Sequence, residues 1–574
     1  MASRRSTSTR PGRAHRPERD GTVAAGIPYD LARQRWQAGA SPAKRAGEGS
    51  VADLLKGYHP DHGPRARVSL AVGVNRGDPC QPDFATHLQA NALIDDVHIA
   101  GAQLVTTDVL VIGGGGGGCA AALTAAKDGA RVILATKLRL GDSNTVMAEG
   151  GIQAAVGADD SPQRHFEDTL RAGHFCGEPE LVAQMAMDGP GVIRWLIELG
   201  MMFDLEDDDR PLGGKLLRKK PGGATAARIL SYRDYTGLEM MRVLREAVEL
   251  EPGITLWNRC PVVELLSDDH GRCAGAVVYH LEWHCFVLVR ARSVVLATGG
   301  AGRLHLNEFP TSNHYGATGD GLVLAYRIGA RLRELDSFQY HPTGIAYPRH
   351  LAGGLVSEAA RSAGATLING EGERFVDELQ PRDVVAAAIL RECAEGRGIE
   401  RGGQVGVFLD TPSLERANPG ILAKRLVTLR HLAKKCGHDP AEEPFLVYPT
   451  LHYQNGGVAI DRHGATGTPG LYAVGELAGG IHGRNRLMGN ALLDIVSMGR
   501  RAGAAAAAQP PDGGTLWGRA GIGHVHAWQR ELTLAGLPLD VKAPQLFPTY
   551  AHFDLGADAG LGAGMPAHGV GGIR

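Results

Sequence analysis

Apolar positions are spread unevenly along this chain. Through residues 1 to about 60, Arg, Ser, Pro and Ala dominate without apolar clustering, so the stretch cannot bury enough surface to fold alone, and residues 1–100 are expected to be mostly disordered. From Thr107 the pattern changes. Asp108-Val109-Leu110-Val111-Ile112 is a short apolar β-type run, Gly113 to Gly118 are six consecutive glycines, Cys119 to Lys127 is Ala-rich and helical in pattern, and Arg131 to Ala135 predicts a second strand. Further strands are expected at Ala276 to Tyr279 and Ser293 to Ala297, and a last β-to-α passage from Leu471 to about Ala508. Between them, residues 337–450 have a different texture, with helices expected at Val384 to Cys393 and Ile421 to Lys434. After Pro510 only one helix is expected, near Val525 to Leu534. The periods predict an α/β protein of several domains.

Composition narrows the function classes. The 60 Lys and Arg balance 62 Asp and Glu, for a net charge of -2, so no global field recruits nucleic acid or an anionic membrane. No apolar run reaches the length of a membrane helix. Cys80, Cys119, Cys176, Cys260, Cys273, Cys285, Cys393 and Cys436 form no CxxC pair, so neither an iron-sulfur cluster nor a metal site is expected, and a reducing compartment fits. Arg4 and Arg5 are not followed by an apolar segment, which disfavours an export signal and leaves a cytoplasmic placement as the expectation.

Gly113, Gly115 and Gly118 satisfy G-x-G-x-x-G directly after a strand and before a helix. There, bare backbone N–H groups and a helix N-terminus hold a pyrophosphate. The acid that ordinarily ends the second strand and holds a ribose hydroxyl is absent, with Thr136-Lys137 in its place, so an ordinary NAD site is disfavoured.

Ser143-Asn144-Thr145-Val146-Met147-Ala148-Glu149-Gly150-Gly151-Ile152 resembles the S-H-T-x-A-A-Q-G-G-I segment of succinate dehydrogenase and fumarate reductase flavoproteins. In the same order follow Ala297-Thr298-Gly299-Gly300, Thr318-Gly319-Asp320-Gly321, Phe338-Gln339-Tyr340-His341-Pro342-Thr343-Gly344, Ser357-Glu358-Ala359-Ala360-Arg361, Gly372-Glu373-Arg374-Phe375 and Pro381-Arg382-Asp383. His452-Tyr453-Gln454-Asn455-Gly456-Gly457, Val474-Gly475-Glu476 and Asn485-Arg486-Leu487-Met488-Gly489-Asn490-Ala491-Leu492 complete the set. L-aspartate oxidases share this framework, but Tyr340 and Gly344 look more like the dicarboxylate reductases.

The resemblance implies a discontinuous Rossmann-like FAD-binding domain (101–336 and 451–508), an inserted α+β capping domain (337–450) and a reduced C-terminal region (509–574). It implies FAD contacts from Gly113, Gly115, Gly118, Thr136, Lys137, Ser143, Asn144, Thr145, Gly150, Gly151, Thr298, Gly299, Asp320, Glu476, Asn490, Ala491 and Leu492. It also implies substrate contacts from His341, Thr343, Ser357, His452 and Arg486. The proton donor to a fumarate carbon is expected at Arg382, resupplied through Arg361 and Glu358. Clamping both carboxylates of a four-carbon dicarboxylate suits planar guanidiniums and strong donors. Arg374 and Asp383 are expected to support structure.

Four departures qualify this reading. Asn144 stands where many members carry a flavin-linked histidine, so FAD is expected to be non-covalent, which tilts turnover towards fumarate reduction or an oxidase-like role. Ser362 and Ala363 replace the first Gly and the Glu of an R-G-E-G pattern, and Ala224 follows the Gly222-Gly223 loop where a polar residue is usual. The carboxyl end does not resemble the family's helical domain. Electrons are expected to pass through a separate iron-sulfur subunit, which would also provide any membrane anchor. The alternatives are a soluble L-aspartate oxidase-like enzyme and a non-catalytic FAD-binding scaffold.

Overall fold

In the computed structural model, residues 26–39, 50–63, 66–206, 214–510 and 520–549 are described. The run around Val109 to Ile112 is the buried end of the strand Gln103–Ile112, which pairs in parallel with Val132–Ala135. Ile254–Trp257 continues the sheet on that side, Cys285–Leu296 on the other, and Leu471–Ala473 pairs with the end of Cys285–Leu296. All five strands are parallel, and the apolar runs Val109–Ile112, Val132–Ala135 and Val294–Leu296 follow from burial on both faces. Val262–Ser267 and Cys273–His280 add an antiparallel meander to the same sheet.

The glycine run opens the helix Gly116–Lys127, which lies against Asn490–Ala507. A Cβ at Gly499 would stand 2.6 Å from the Gly117 carbonyl oxygen, and one at Gly503 would stand 2.3 Å from that of Ala121. These two helices approach backbone to backbone. That contact holds the late β-to-α passage against the first β-α-β unit, so distant sequence segments share one cradle.

The cap is a six-stranded sheet in which Phe338–Ile345 and Phe445–Gln454 pair antiparallel and carry the chain into and out of it. Gln404–Asp410, Ile399–Arg401 and Thr366–Ile368 extend the sheet, and the helix Arg382–Ala394 packs on it. The helix expected over 421–434 is two, Ile421–Lys424 and Val427–Cys436. The break has a cause outside the segment: the Thr428 N–H donates to Asp234 at 2.6 Å, so a carboxylate distant in sequence satisfies the first turn of a restarted helix.

The expectation of disorder through residue 100 is corrected for the described segments, although residues 1–25, 40–49 and 64–65 lie outside them. Ile27–Pro28 adds a parallel strand to the cap sheet beside Ile399–Arg401. The helix Val51–Tyr58 rests on Arg382–Ala394, and Leu70, Val72, Phe84 and Leu88 are buried in the core beside the parallel sheet. These pieces lack apolar clustering of their own because neighbouring surfaces supply their core. The other end is tied in similarly. Within the helix Gly523–Leu534, Trp528 donates to the Ala90 carbonyl at 3.0 Å, and Lys542–Ala543 pairs in parallel with Asn91–Ala92. Beneath them lies the buried ion pair of Arg327 and Glu264, Arg327 also donating to the Ala543 carbonyl at 2.8 Å. Among the described residues, no helix is long and apolar enough to cross a membrane.

Two glycine substitutions separate close packing from open space. Gly503→Val should destabilise the protein by about 1–3 kcal/mol through overpacking. Gly57→Ala, in the helix Val51–Tyr58 with no atom near its added Cβ, should stabilise by roughly 0.5–1 kcal/mol. Denaturant midpoints moving in opposite directions check the pair.

Candidate functional site

Gly113 to Gly117 line a cavity of about 610 Å³ that runs from the parallel sheet to the cap. Gly113 has φ +118°, and a Cβ there would meet the Ala297 oxygen at 2.2 Å, so only glycine brings bare backbone to this wall. A Cβ on Gly118 would lie 1.9 Å from the Gly113 oxygen. Gly118 therefore packs helix on strand and does not line the cavity.

Thr136, Lys137, Ser143, Asn144, Thr145, Gly150, Thr298, Gly299, Asp320, Glu476, Ala491 and Leu492 also line it. In place of the missing strand-end acid, Lys137 reaches across to Asp320 at 2.6 Å and Thr318 Oγ1 at 2.8 Å. Burial pushes the Asp320 carboxyl up, against the pull of Lys137. Asn144 donates to Asn313 Oδ1 at 2.8 Å and to Glu476 Oε2 at 3.1 Å. The Thr298 hydroxyl is buried without a protein partner. A bare-backbone loop, an orphaned hydroxyl and a long cavity fit FAD. Besides Gly118, two further expected contacts are not placed there. Asn490 turns its side chain to His165 at 2.8 Å and to Thr169 at 2.9 Å. Gly151 lies under strand Ile229–Leu230, where a Cβ would meet the Leu230 oxygen at 2.6 Å.

At the cap end, strands and helices from distant segments bring the charged groups together. Arg382, first residue of its helix, donates from Nε to Glu358 Oε2 at 2.9 Å and from Nη1 to Gln339 Oε1 at 2.9 Å. Arg486 Nη2 donates to the same Gln339 oxygen at 3.2 Å. Arg361 stands behind Glu358 at 3.4 Å and donates to the Glu378 carbonyl at 2.5 Å. Burial pushes Glu358 up, but the charges of Arg382 and Arg361 outweigh it and hold the carboxyl below its usual range. Burial, aided by Arg382, brings Arg486 down to about 10.

His341 and His452 lie with ring centroids 5.1 Å apart. Burial, reinforced by Arg382, drives both well below the usual histidine range, so both are neutral imidazoles. The Thr343 N–H donates to His341 Nδ1 at 3.3 Å, which leaves Nε2 as the protonated ring nitrogen. Ser312 lies 2.8 Å from His452 Nδ1. Ser357 lines the cavity and caps the helix Glu358–Ser362. Thr343 does not line it, its hydroxyl donating to the Val356 carbonyl at 2.8 Å.

The family model for an FAD binding domain matches residues 108–492. A fumarate reductase (CoM/CoB) chain of Methanothermobacter marburgensis is 40% identical over 421 residues, 71% of this chain and 73% of that protein. The chain belongs to the succinate dehydrogenase and fumarate reductase flavoprotein family. L-aspartate oxidase of Streptomyces coelicolor is 38% identical over 403 residues, 68% of this chain and 66% of that protein. Among solved structures, FrdA of E. coli quinol fumarate reductase superposes with a TM-score of 0.67 at 32% identity, over 75% of this chain and 74% of that one. As a member of this family, the protein is an FAD-dependent oxidoreductase.

Sequence reasoning missed two groups in this family site. Gln339 was visible within the Phe338-to-Gly344 motif, but nothing in sequence says that its amide meets two guanidiniums. Glu149 lines the cavity beside Ser357, and burial, with the charge of Asp234, lifts its carboxyl to about 8. Glu149 is therefore protonated below that pH and anionic above it. Affinity for a small dianion should fall by roughly tenfold between about pH 7 and pH 9, and Glu149→Gln should flatten that limb, as read by flavin absorbance titration.

Proposed function

We propose that this flavoprotein interconverts fumarate and succinate, with electrons exchanged through a separate iron-sulfur subunit. The observation that carries the reading is the convergence of Arg382 and Arg486 on one neutral amide, beside two neutral imidazoles, at the cap end of the cavity. Arg361 and Arg382 share the one carboxylate of Glu358, and a dianion supplies the further negative charge that the cluster takes. Its two carboxylates are clamped by Arg486, His341 and His452, which orients the central carbons and excludes water. Bound FAD, held non-covalently because the Asn144 carboxamide is no nucleophile, supplies the hydride chemistry.

The chain's own part is the proton. Arg382 donates to the second alkene carbon, and Glu358, bonded to its Nε, returns a proton drawn through Arg361. Held between Glu358 and Gln339, Arg382 is fixed in place to hand on a proton and to take one back within the same site. An amino-acid substrate fits less well. Below about pH 8 Glu149 is neutral, and Glu358 is already engaged by two arginines, so neither is a ready partner for an ammonium group. The L-aspartate oxidase reading is therefore the second choice. Relatives named as subunits of fumarate reductase and succinate dehydrogenase support assembly with partner chains.

The purified flavoprotein should oxidise reduced benzyl viologen on addition of fumarate. Arg382→Ala should lower kcat by at least about 100-fold while FAD stays bound. Peroxide formed with L-aspartate, and no fumarate turnover, would select the oxidase. Acid precipitation should leave all the flavin in the supernatant.

A further inference from the structure

A continuous file of side chains runs from the protein surface to the arginine pair. His174, whose side chain is 44% exposed, lies with Nε2 2.7 Å from Asp383 Oδ2. Asp383 Oδ1 accepts from Asn485 Nδ2 at 3.1 Å, Asn485 Oδ1 accepts from Gln339 Nε2 at 3.0 Å, and Gln339 Oε1 accepts from Arg382 and Arg486. Asp383, Asn485 and Gln339 are all buried.

The file has a polarity. Asp383 Oδ1 accepts from Asn485, which draws the Asn485 NH2 towards it and turns the Asn485 oxygen to Gln339. That oxygen takes the Gln339 NH2 and leaves the Gln339 carbonyl for the guanidiniums. Two backbone carbonyls pull the same way: Ala172 accepts from Asn485 at 3.1 Å and Arg486 accepts from Gln339 at 2.7 Å. With the opposite orientation, Gln339 would present N–H groups to two cations. A neutral oxygen also ties Arg382 and Arg486 together without neutralising either, as a glutamate there would.

We propose that Gln339 is a positioning residue that sets the spacing of Arg382 and Arg486, and that Asp383, held by His174, acts through Asn485 to fix its orientation. The proposal rests on the dicarboxylate reading of the site. The charged groups around His174 are consistent with its donor role: hydrogen bonding to Asp383 raises its pKa against burial and the opposing charge of Arg484, while His59 and His62 stand nearby.

A double-mutant cycle on the FAD-loaded protein tests this, with two readouts: kcat/KM for fumarate, and succinate affinity from the flavin absorbance change. Asp383→Asn should lower both by about tenfold in the wild-type background and by less than about twofold once Gln339→Ala is present. Equal losses in both backgrounds would show that Asp383 acts elsewhere and overturn the proposal. His174, being half-exposed, gives a variant that folds: His174→Gln, which keeps a donor, should stay within about threefold of wild type, and His174→Leu should lose about tenfold. Equal behaviour of these two would also overturn it. A protein that binds succinate without reducing fumarate would refute the functional reading and leave the cycle to be read from affinity. One that binds no dicarboxylate would refute both.

Discussion

Two buried guanidiniums, Arg361 and Arg486, and the partly buried Arg382 gather near one carboxylate, Glu358, which pairs directly with Arg361 and Arg382. Removing like charges from water is costly, and the cost is tolerated only where each group is held by hydrogen bonds and an anion completes the balance. Much of the cap is organised by this constraint. The Glu378 carbonyl takes Arg361, the Gln339 carbonyl takes Arg382 and Arg486, and the Tyr453 ring lies 4.2 Å from the Arg486 guanidinium. The two histidines beside them stay neutral for the same reason, since burial and the arginines' charge both oppose protonation.

The fold delivers these groups from segments far apart in sequence. Gln339 and His341 ride on the strand entering the cap, His452 on the strand leaving it, Arg382 on the first turn of the cap helix, and Arg486 on the loop before the helix that packs on the glycine run. The N-terminal segment backs the same elements. Asp61 accepts the Phe338 N–H at 2.8 Å, next to Gln339, and the helix Val51–Tyr58 covers the helix that Arg382 begins. An extension placed there ties the cap to the parallel sheet behind the site.

Much of this was legible in the chain. The β-type run, the six glycines and the Ala-rich stretch specify a β-α-β cradle because strand burial, bare backbone and close helix packing each demand those residue types. The motifs bearing Glu358, Arg361, Arg382 and Arg486 pointed to the charged cluster. What escaped was set by tertiary context. Residues 50–63 and 66–100 carry too little apolar pattern to declare themselves, since Phe84 and Leu88 fold only against a surface made elsewhere. The break before Val427–Cys436 depends on Asp234, nearly two hundred residues earlier in the chain. Asn490 faces His165 instead of the cavity because its helix begins at that residue and turns the side chain inward. The amide file through Gln339 joins residues from four separate segments, and no local periodicity encodes it.

The central claim is that the arginine pair binds and protonates a dicarboxylate beside the flavin. Its most direct test is a single turnover without oxygen: the flavin is fully reduced, mixed with fumarate, and its reoxidation followed by absorbance in wild type and Arg382→Lys. The account predicts rapid reoxidation with one succinate formed per flavin in wild type, and reoxidation slowed by at least about 100-fold in the variant despite retained dicarboxylate binding. Reduced flavin that fumarate leaves unchanged, or a variant as fast as wild type, would contradict it.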